Sequence, residues 1–444
     1  MKSLMVVLTI VALLAFIVGL LFGKRPARMY LLFMLYAFPV IDLKLTPAAW
    51  GWGGLSLFEG LSYIILCVRY KDFLTIFKVN RFYFITFCTL MFLLILGSLT
   101  SQFPVSSLLN NLLIIPIFIY ARLLILECVQ DEAFINKMIT GLQVACLISI
   151  AFLAVQLVVG LQLRFYSELN PNTLDSNGVR YPGFFHDSQK YAQFLAMSAF
   201  IFLINKKNIQ RPGFKNLFFF LLVAVAIFLT GGRSAFLGLI AGMLFLLLFA
   251  GIQYKKYIIV GCLAGGVVIA FFSQSLIMFN RQDNFNNSFD FRAAIWEEAY
   301  GIYKSHPFLG IGIGNYKDYV SRYAQDQYLV LENDEIVFLD QPENGYLKIL
   351  TEFGAPAFIV AFALILGPVF GAMRAWYKGQ TDGRVMLFIA GIVCWLVSFV
   401  SLYSIMDRRN LLVVLCYSCF LIYLSNRSKI VNEEEPDTAF RDPV

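Results

Sequence analysis

The segment Leu217–Leu229 reads LFFFLLVAVAIFL, which makes it apolar on every face of a helix. A helix of that kind either lies in a large core or spans a membrane. The rest of the chain has the same character, because 59% of the 444 residues are hydrophobic and 14% are charged. Soluble domains have about 45–50% apolar and about 25% charged residues. The composition therefore excludes a disordered chain, a collagen-like chain and an ordinary soluble enzyme.

Long apolar runs predict an all-α, polytopic transmembrane helical bundle. A spanning helix needs about 20 apolar residues, so this chain has room for about 12–13 spans. Strands of a membrane barrel would instead alternate over about ten residues, and Leu217–Leu229 does not alternate. We expect spans at 4–22, 29–41, 55–68, 82–98, 105–126, 138–161, 190–204, 216–231, 234–252, 257–278, 346–371, 385–404 and 411–425.

The spans and the long segments between them divide the chain into six regions. The transmembrane regions are 1–161 (N-terminal helices), 190–278 (central helices) and 346–425 (C-terminal helices). The others are 162–189 (an outer loop), 279–345 (a large, partly helical periplasmic loop) and 426–444 (a cytoplasmic tail). Both outer segments are too long to be simple connectors. Within them, we expect a helix at Phe289–Lys304 lying against the membrane surface, and we expect disorder in the tail from Asn432.

Lys and Arg are concentrated in alternate connections, which predicts that those connections are cytoplasmic. The rich connections contain Lys24, Arg25, Arg28, Arg69, Lys71, Lys78, Arg81, Lys206, Lys207, Arg211, Lys215, Lys255, Lys256, Arg374, Lys378, Arg384, Arg427 and Lys429. The chain would then begin outside and end inside. The net charge of +7 mostly reflects these loops, so we expect no nucleic-acid partner.

Several familiar kinds of site are missing from the sequence. The eight cysteines lie in or beside apolar runs, and the closely spaced Cys416 and Cys419 have no His or acidic residue nearby, so we expect buried cysteines. With only two histidines in the chain, we expect no metal site. GxSxG, Walker A and HExxH motifs do not occur. The run Gly310–Gly314 (GIGIG) is similar to a dinucleotide fingerprint, but it follows a helix, so we expect a tight turn. We expect no cofactor.

Charges at the membrane edge are functional candidates because burying them is costly. Arg180, Arg233 and Arg292 all fall on the predicted outer side, as does the group Asp407–Arg409. The planar guanidinium group binds a diphosphate through two parallel hydrogen bonds. The alternative for any one of these arginines is a snorkelling anchor at a helix end. Arg233 follows two glycines that allow close approach of the backbone to a ligand.

Glu343 is the candidate general base, because it falls at the start of a predicted helix next to the outer segment. The alternative is that it only caps that helix and interacts with its dipole. Glu352 lies nine residues further on and is expected to be a packing or interhelical partner. His186 could orient a substrate, although a histidine in a loop is more often simply solvated.

Six short motifs occur in a fixed order between residues 180 and 354. They are Arg180–His186 (RYPGFFH), Leu229–Gly238 (LTGGRSAFLG), Arg292–Trp296 (RAAIW), His306–Gly312 (HPFLGIG), Glu343–Leu347 (ENGYL) and Glu352–Gly354 (EFG). Together they resemble the O-antigen ligase and O-antigen polymerase superfamily. The resemblance implies a metal-independent glycosyltransferase of the bacterial inner membrane, with its active site facing the periplasm.

The same resemblance implies an undecaprenyl-pyrophosphate-linked glycan as donor and a sugar hydroxyl as acceptor. It implies that Arg180, Arg233 and Arg292 contact the diphosphate or its sugar, that Arg233 and Glu343 are catalytic, and that Asn344, Tyr346 and His186 contact substrate. Membrane lipids, a chain-length regulator and a flippase are candidate partners. Ligases of the family typically have His-Asn where this chain has Glu343-Asn344, which favours a polymerase of O-antigen, capsule or exopolysaccharide repeat units over an O-antigen ligase.

Two other classes of protein remain alternatives. A lipid-linked glycan transporter or flippase would place charges near the middle of the membrane, whereas here Glu59 and Arg122 are the main interior charges. A non-catalytic scaffold for an export machine would need no converging arginines.

Overall fold

The computed structural model describes residues 16–45, 54–74, 81–166, 174–175, 178–205, 213–251, 255–256, 258–261, 266, 285–323, 328–330, 336–338 and 341–438. Within these ranges the protein is all-helical apart from two small hairpins, which confirms the predicted fold class. The predicted span 257–278 lies almost entirely outside the described residues, and only 16–22 of the first predicted span is described, as helix.

The helices of the N-terminal half are α1 Pro26–Tyr36, α2 Leu57–Val68, α3 Tyr70–Leu74, α4 Arg81–Thr100, α5 Pro104–Asn111, α6 Ile115–Gln130 and α7 Ala133–Val159. The later helices are α8 Ser188–Ala199, α9 Phe214–Thr230, α10 Arg233–Phe249, α11 Phe285–Ser305, α12 Tyr316–Tyr323, α13 Gly345–Tyr377, α14 Arg384–Ser398 and α15 Arg408–Thr438. Short 3-10 turns follow α8 at Phe200–Leu203 and α14 at Phe399–Ser401. The antiparallel hairpins pair β1 Leu174–Asp175 with β2 Gly178–Val179, and β3 Tyr328–Val330 with β4 Ile336–Phe338.

Six helical segments of the described part are long and apolar enough to cross a membrane, so the protein is a multi-pass membrane protein. They are Arg81–Thr100, Pro104–Gln130, Ala133–Val159, Gly345–Tyr377, Arg384–Ser401 and Arg408–Arg427, and each overlaps a predicted span. Helices α2, α9 and α10 are shorter and also apolar.

The last two helices lie at the centre of the bundle. In the apolar stretch of each helix, 72% of the residues of α14 and 83% of those of α15 are buried in protein, compared with 22% of those of α4. Small residues allow these helices to approach closely, as is usual in membranes. A Cβ at Gly238 of α10 would lie 2.5 Å from the carbonyl oxygen of Cys394 on α14, and one at Gly391 would lie 2.3 Å from the ring of Tyr417 on α15. Glycine at these positions therefore sets the spacing of the core.

Connections that the charge pattern assigns to the same side of the membrane contact each other. On the predicted cytoplasmic side, Arg28 pairs with Asp131 at 2.8 Å and Arg427 pairs with Glu132 at 2.5 Å. On the predicted outer side, Asn410 donates to the carbonyl of Lys190 at 3.1 Å. The contacts agree with the predicted alternation of loops, while the side that faces the periplasm stays a prediction.

Helix α13 is interrupted at Gly354, whose φ of 75° is not helical. In a regular helix, the carbonyls of Thr351 and Glu352 would accept from the N–H groups of residues 355 and 356. Here the N–H of Ala355 donates to the carbonyl of Pro307 at 2.8 Å, and Pro356 has no N–H, so both carbonyls lack their usual partners. The glycine-rich run supplies the missing donors. The N–H of Ile311 donates to the carbonyl of Thr351, and the N–H of Gly312 donates to the carbonyl of Glu352, each at 3.0 Å. We call residues 307–314 with 351–355 the clasp.

The clasp confirms that Gly310–Gly314 forms tight turns. Gly310, Gly312 and Gly314 all have positive φ, and a Cβ at Gly310 would lie 2.4 Å from the carbonyl oxygen of Glu352. The Oε1 atom of Glu352 accepts from the N–H of Tyr316, the first residue of α12, at 3.3 Å. Glu352 is therefore an interhelical partner, as predicted.

Two expectations about the outer helix and the tail need correction. The expected surface helix exists as α11, but Ile295, Ala299 and Ile302 are buried in a small core shared with the clasp and α12, so this face packs on protein. The tail expected to be disordered from Asn432 is helical through Thr438. No Gly or Pro follows the apolar part of α15 until Pro436, so nothing in the sequence stops the helix earlier.

Candidate functional site

Arg292 and Glu343 form an ion pair between α11 and the residue that precedes the cap of α13. The Nε atom of Arg292 donates to Oε2 of Glu343 at 3.2 Å. The two side chains are 36% and 32% exposed, so a ligand can reach both. Tertiary structure thus joins the predicted base to one of the predicted diphosphate-binding arginines.

The start of α13 determines what Glu343 is free to do. Asn344 is the N-cap residue, and its Oδ1 accepts from the N–H groups of Tyr346 at 3.0 Å and Leu347 at 3.2 Å. Glu343 itself has a φ of 45°, and it is the one non-glycine residue with positive φ in the described part of the chain. Such backbone strain often occurs at functional sites. Because Asn344 provides the cap, the alternative role of Glu343 as a capping residue is not what the structure shows.

Tyr346 fixes the same helix start to α14. Its hydroxyl donates to the carbonyl of Leu396 at 2.6 Å, and its ring lies 5.1 Å from that of Phe399. A Cβ at Gly345 would lie 2.3 Å from the Phe399 ring, so glycine is required there. Asn344 and Tyr346 therefore have structural roles, and their contact with substrate stays a prediction.

Arg233 is the first residue of α10 and is half-buried. Gly231 ends α9 in the left-handed region at φ 70°, and the next helix begins two residues later at Arg233. Gly232 packs tightly on α8, because a Cβ there would lie 2.3 Å from the Cβ of Ala192. The two glycines thus place Arg233 close to the first turns of α8.

Arg180 begins the turn 180–187 that leads into α8, and it is 1% exposed. The N–H of Phe185 donates to the carbonyl of Pro182 at 2.9 Å, and Asp187 caps α8 by accepting from the N–H of Gln189 at 2.7 Å. His186 is exposed, and the centre of its ring lies 6.2 Å from the centre of the Tyr166 ring. Arg180 is therefore buried in this structure, and its contact with a donor stays a prediction.

Contacts through α8 and α14 bring the segments that carry Arg180, Arg233 and Glu343 to the same end of the protein. Gln193 of α8 donates to the Oγ atom of Ser398 at 2.7 Å, next to the Phe399 ring that holds the start of α13. Ala192, the neighbour of Gln193, contacts Gly232. The segments that carry Arg180, Arg233 and Glu343 are therefore joined through side chains of two central helices.

The two arginines that open α15 have a different role from the one that the sequence suggested. Arg408 pairs with Glu59 of α2, and their side chains are 1% and 0% exposed. Arg409 pairs with Asp407 at 2.8 Å and Asp42 at 3.5 Å. Both guanidinium groups hold helices together and are shielded from any diphosphate. Sequence reasoning named Glu59 as an interior charge but could not find its partner, which lies far away in the chain.

The carboxylates around Arg409 have shifted pKa values. Burial by itself would raise the pKa of Asp407, but the charge and hydrogen bonds of Arg409 outweigh it and lower that pKa below its ordinary value. Burial, and next the charge of Asp407, raise the pKa of Asp42. Asp407 is therefore the carboxylate that carries the negative charge opposite Arg409.

Among the described residues, no three side chains of His, Cys, Asp or Glu come together as metal ligands would. The chemistry that the described arrangement can support is binding of an anion by arginine next to a carboxylate that can accept a proton.

Residues 218–362 match the family model described as O-antigen ligase. This part of the chain is therefore similar to the O-antigen ligase family. The matched region makes up about a third of the chain and contains Arg233, Arg292, the clasp, Glu343 and the first part of α13. Arg180 and the α15 arginines lie outside it.

The chain is also similar to the teichuronic acid biosynthesis protein TuaE of Bacillus subtilis (strain 168). The two are 22% identical over 261 residues, which covers 53% of this chain and 52% of the relative. The match therefore spans about half the length of that relative.

Proposed function

We propose that this protein is a membrane glycosyltransferase that polymerises undecaprenyl-pyrophosphate-linked oligosaccharide repeat units. The reaction would take place at the periplasmic face of the bacterial inner membrane, without a metal ion or other cofactor. The observation that carries the proposal is the ion pair of Arg292 with Glu343, which lies inside the region that matches the O-antigen ligase family. It brings together an anion-binding group and a proton acceptor.

In the proposed reaction, the acceptor hydroxyl attacks the anomeric carbon of the donor sugar while Glu343 takes its proton. The bond between that carbon and the diphosphate oxygen breaks, and undecaprenyl pyrophosphate leaves. Inversion at the anomeric carbon is the simplest outcome of one such displacement. Arg180, Arg233 and Arg292 would stabilise the charge that develops on the leaving diphosphate.

Polymerisation is favoured over ligation because Glu343 stands where ligases of the family typically have histidine. The name of the Bacillus subtilis relative also agrees with a role in surface-polysaccharide biosynthesis. Ligation remains the second candidate, because O-antigen ligase is the description of the matching family. The donor and acceptor glycans, the membrane lipids, a chain-length regulator and a flippase are the partners of the proposed enzyme.

The glycan profile of a deletion strain separates the candidates. Loss of all polymer beyond a single repeat would support polymerase, whereas accumulation of free lipid-linked polymer would support ligase. Purified protein with lipid-linked repeat units should give a ladder on a gel. Movement of those units across vesicle membranes without new glycosidic bonds would overturn the proposal in favour of a transporter.

A further inference from the structure

The turn 180–187 is held rigidly on the side that faces α7. Gln156 of α7 accepts from the N–H of Gly183 at 3.0 Å through Oε1 and donates to the carbonyl of Leu163 at 2.9 Å through Nε2. Gly183 has a φ of 57°, and a Cβ there would lie 2.7 Å from the ring of Tyr191. The backbone of the turn is therefore tightly packed at Gly183.

Arg409 of α15 holds the opposite side of the same turn. One terminal nitrogen of its guanidinium group donates to the carbonyl of Phe184 and to the hydroxyl of Tyr166, the latter at 3.1 Å. The guanidinium carbon lies 4.0 Å from the centre of the Phe185 ring. These contacts join the last described helix to the turn that carries Arg180.

The remaining donors of Arg409 point to carboxylates. Its Nε and second terminal nitrogen donate to the two oxygens of Asp407 at 3.2 and 2.8 Å. With its side chain 1% exposed, Arg409 has its donors engaged within the protein and does not meet a ligand. Any effect that it has on the reaction must act through the residues that it holds.

We propose that Arg409 is a positioning residue that fixes the turn 180–187 and thereby places Arg180 for the diphosphate of the donor. This inference rests on the proposed function, and it extends that function to a residue outside the region that matches the O-antigen ligase family. Lysine cannot replace Arg409, because one ammonium group cannot make two parallel hydrogen bonds to a carboxylate and also donate to Tyr166 and Phe184.

The test compares Arg409→Lys, Arg180→Ala and the double variant in the purified full-length protein. Arg408→Lys is the matched control, because Arg408 is the adjacent residue and is equally buried but pairs with Glu59. The readouts are the KM and kcat for lipid-linked donor, and the hydrogen exchange of the amides of Gly183 and Phe185. Hydrogen exchange reports on the turn whether or not the protein transfers sugars.

We expect Arg409→Lys to speed exchange at both amides and to raise the donor KM by about tenfold, the size of effect expected for a lost charge-assisted contact. Its kcat should change much less. Adding Arg409→Lys to Arg180→Ala should change KM by less than about twofold, because residues that act through one contact are not additive. Arg408→Lys should leave the donor KM and exchange at the turn close to those of the unchanged protein.

Other outcomes separate the inference from the function on which it rests. Unchanged exchange in Arg409→Lys, or faster exchange with unchanged donor KM, would overturn the positioning role while leaving the glycosyltransferase intact. Equal and additive losses in all variants would also overturn it. A protein that transfers no sugar would remove the proposed function, and undecaprenyl pyrophosphate binding, measured by native mass spectrometry, would then replace KM as the readout for the same variants.

Discussion

The Nε atom of Arg292 lies 3.2 Å from Oε2 of Glu343, and this contact joins α11 to the start of α13. An ion pair that is about one-third exposed contributes only about 0–1 kcal/mol to stability. The pair can therefore be opened at little cost. In the proposed mechanism, the diphosphate of the donor takes over Arg292 and leaves Glu343 free to accept a proton.

Glu343→Gln should abolish most chain elongation while the protein keeps its fold. Removing a general base typically costs about 10²–10⁴ in rate, and loss of the exposed ion pair should change stability by no more than about 1 kcal/mol. Elongation on lipid-linked repeat units and thermal unfolding measure the two effects. Glu297→Gln, at an exposed position of α11, is the control and should elongate normally. Full elongation by Glu343→Gln would remove Glu343 from the mechanism.

Arg292→Ala should raise the donor KM by about tenfold or more, since a charge-assisted hydrogen bond to the diphosphate would be lost. Arg292→Lys should recover part of the affinity, because it keeps the charge but not the planar fork. Steady-state kinetics with varied donor concentration measures both. Arg322→Ala, at an exposed position of α12, should have no such effect. If the two alanine variants behave alike, Arg292 acts only as a surface anchor.

Gly310→Ala should destabilise the clasp. A non-glycine residue at φ 65° costs about 1–3 kcal/mol, and the added Cβ would lie 2.4 Å from the carbonyl of Glu352. The melting temperature in detergent should fall, together with elongation. Gly301→Ala is the matched control, because no atom lies within 4 Å of a Cβ there in α11. That change should stabilise the helix by about 0.5–1 kcal/mol, and an equal loss in both variants would contradict the clasp.

Asp407→Asn should lower stability at neutral pH by about 3 kcal/mol, because it leaves Arg409 without its main buried partner. The pKa of Asp407 is lowered in the folded protein, so its contribution is present above the unfolded pKa of about 3.9 and is lost as pH falls through the folded pKa. The difference between wild type and Asp407→Asn should therefore stay nearly constant from pH 7 to about pH 5 and shrink as the pH falls below about 4. Thermal unfolding across that range measures it, and a difference that grows towards acid would refute the assignment.

Local sequence was sufficient for the long apolar helices and for the turns of the clasp. Apolar runs predicted α4, α7, α14 and the apolar part of α15, because a spanning helix satisfies its own backbone in the membrane. The glycine run 310–314 was correctly expected to turn. The sequence could not show that these turns cross α13, since only the fold reveals that Pro356 and Gly354 leave two carbonyls for Ile311 and Gly312.

For the candidate site, the sequence determined which residues are chemically able to act, and tertiary structure decided which of them are available. Arg292 and Arg409 are the same residue type in the sequence, yet Arg292 pairs with Glu343, which is about one-third exposed, whereas Arg409 is buried against Asp407. The reason is physical: hydropathy and helix propensity act between neighbours in the chain, while the burial and pairing of a charge depend on groups that only folding brings within hydrogen-bond distance.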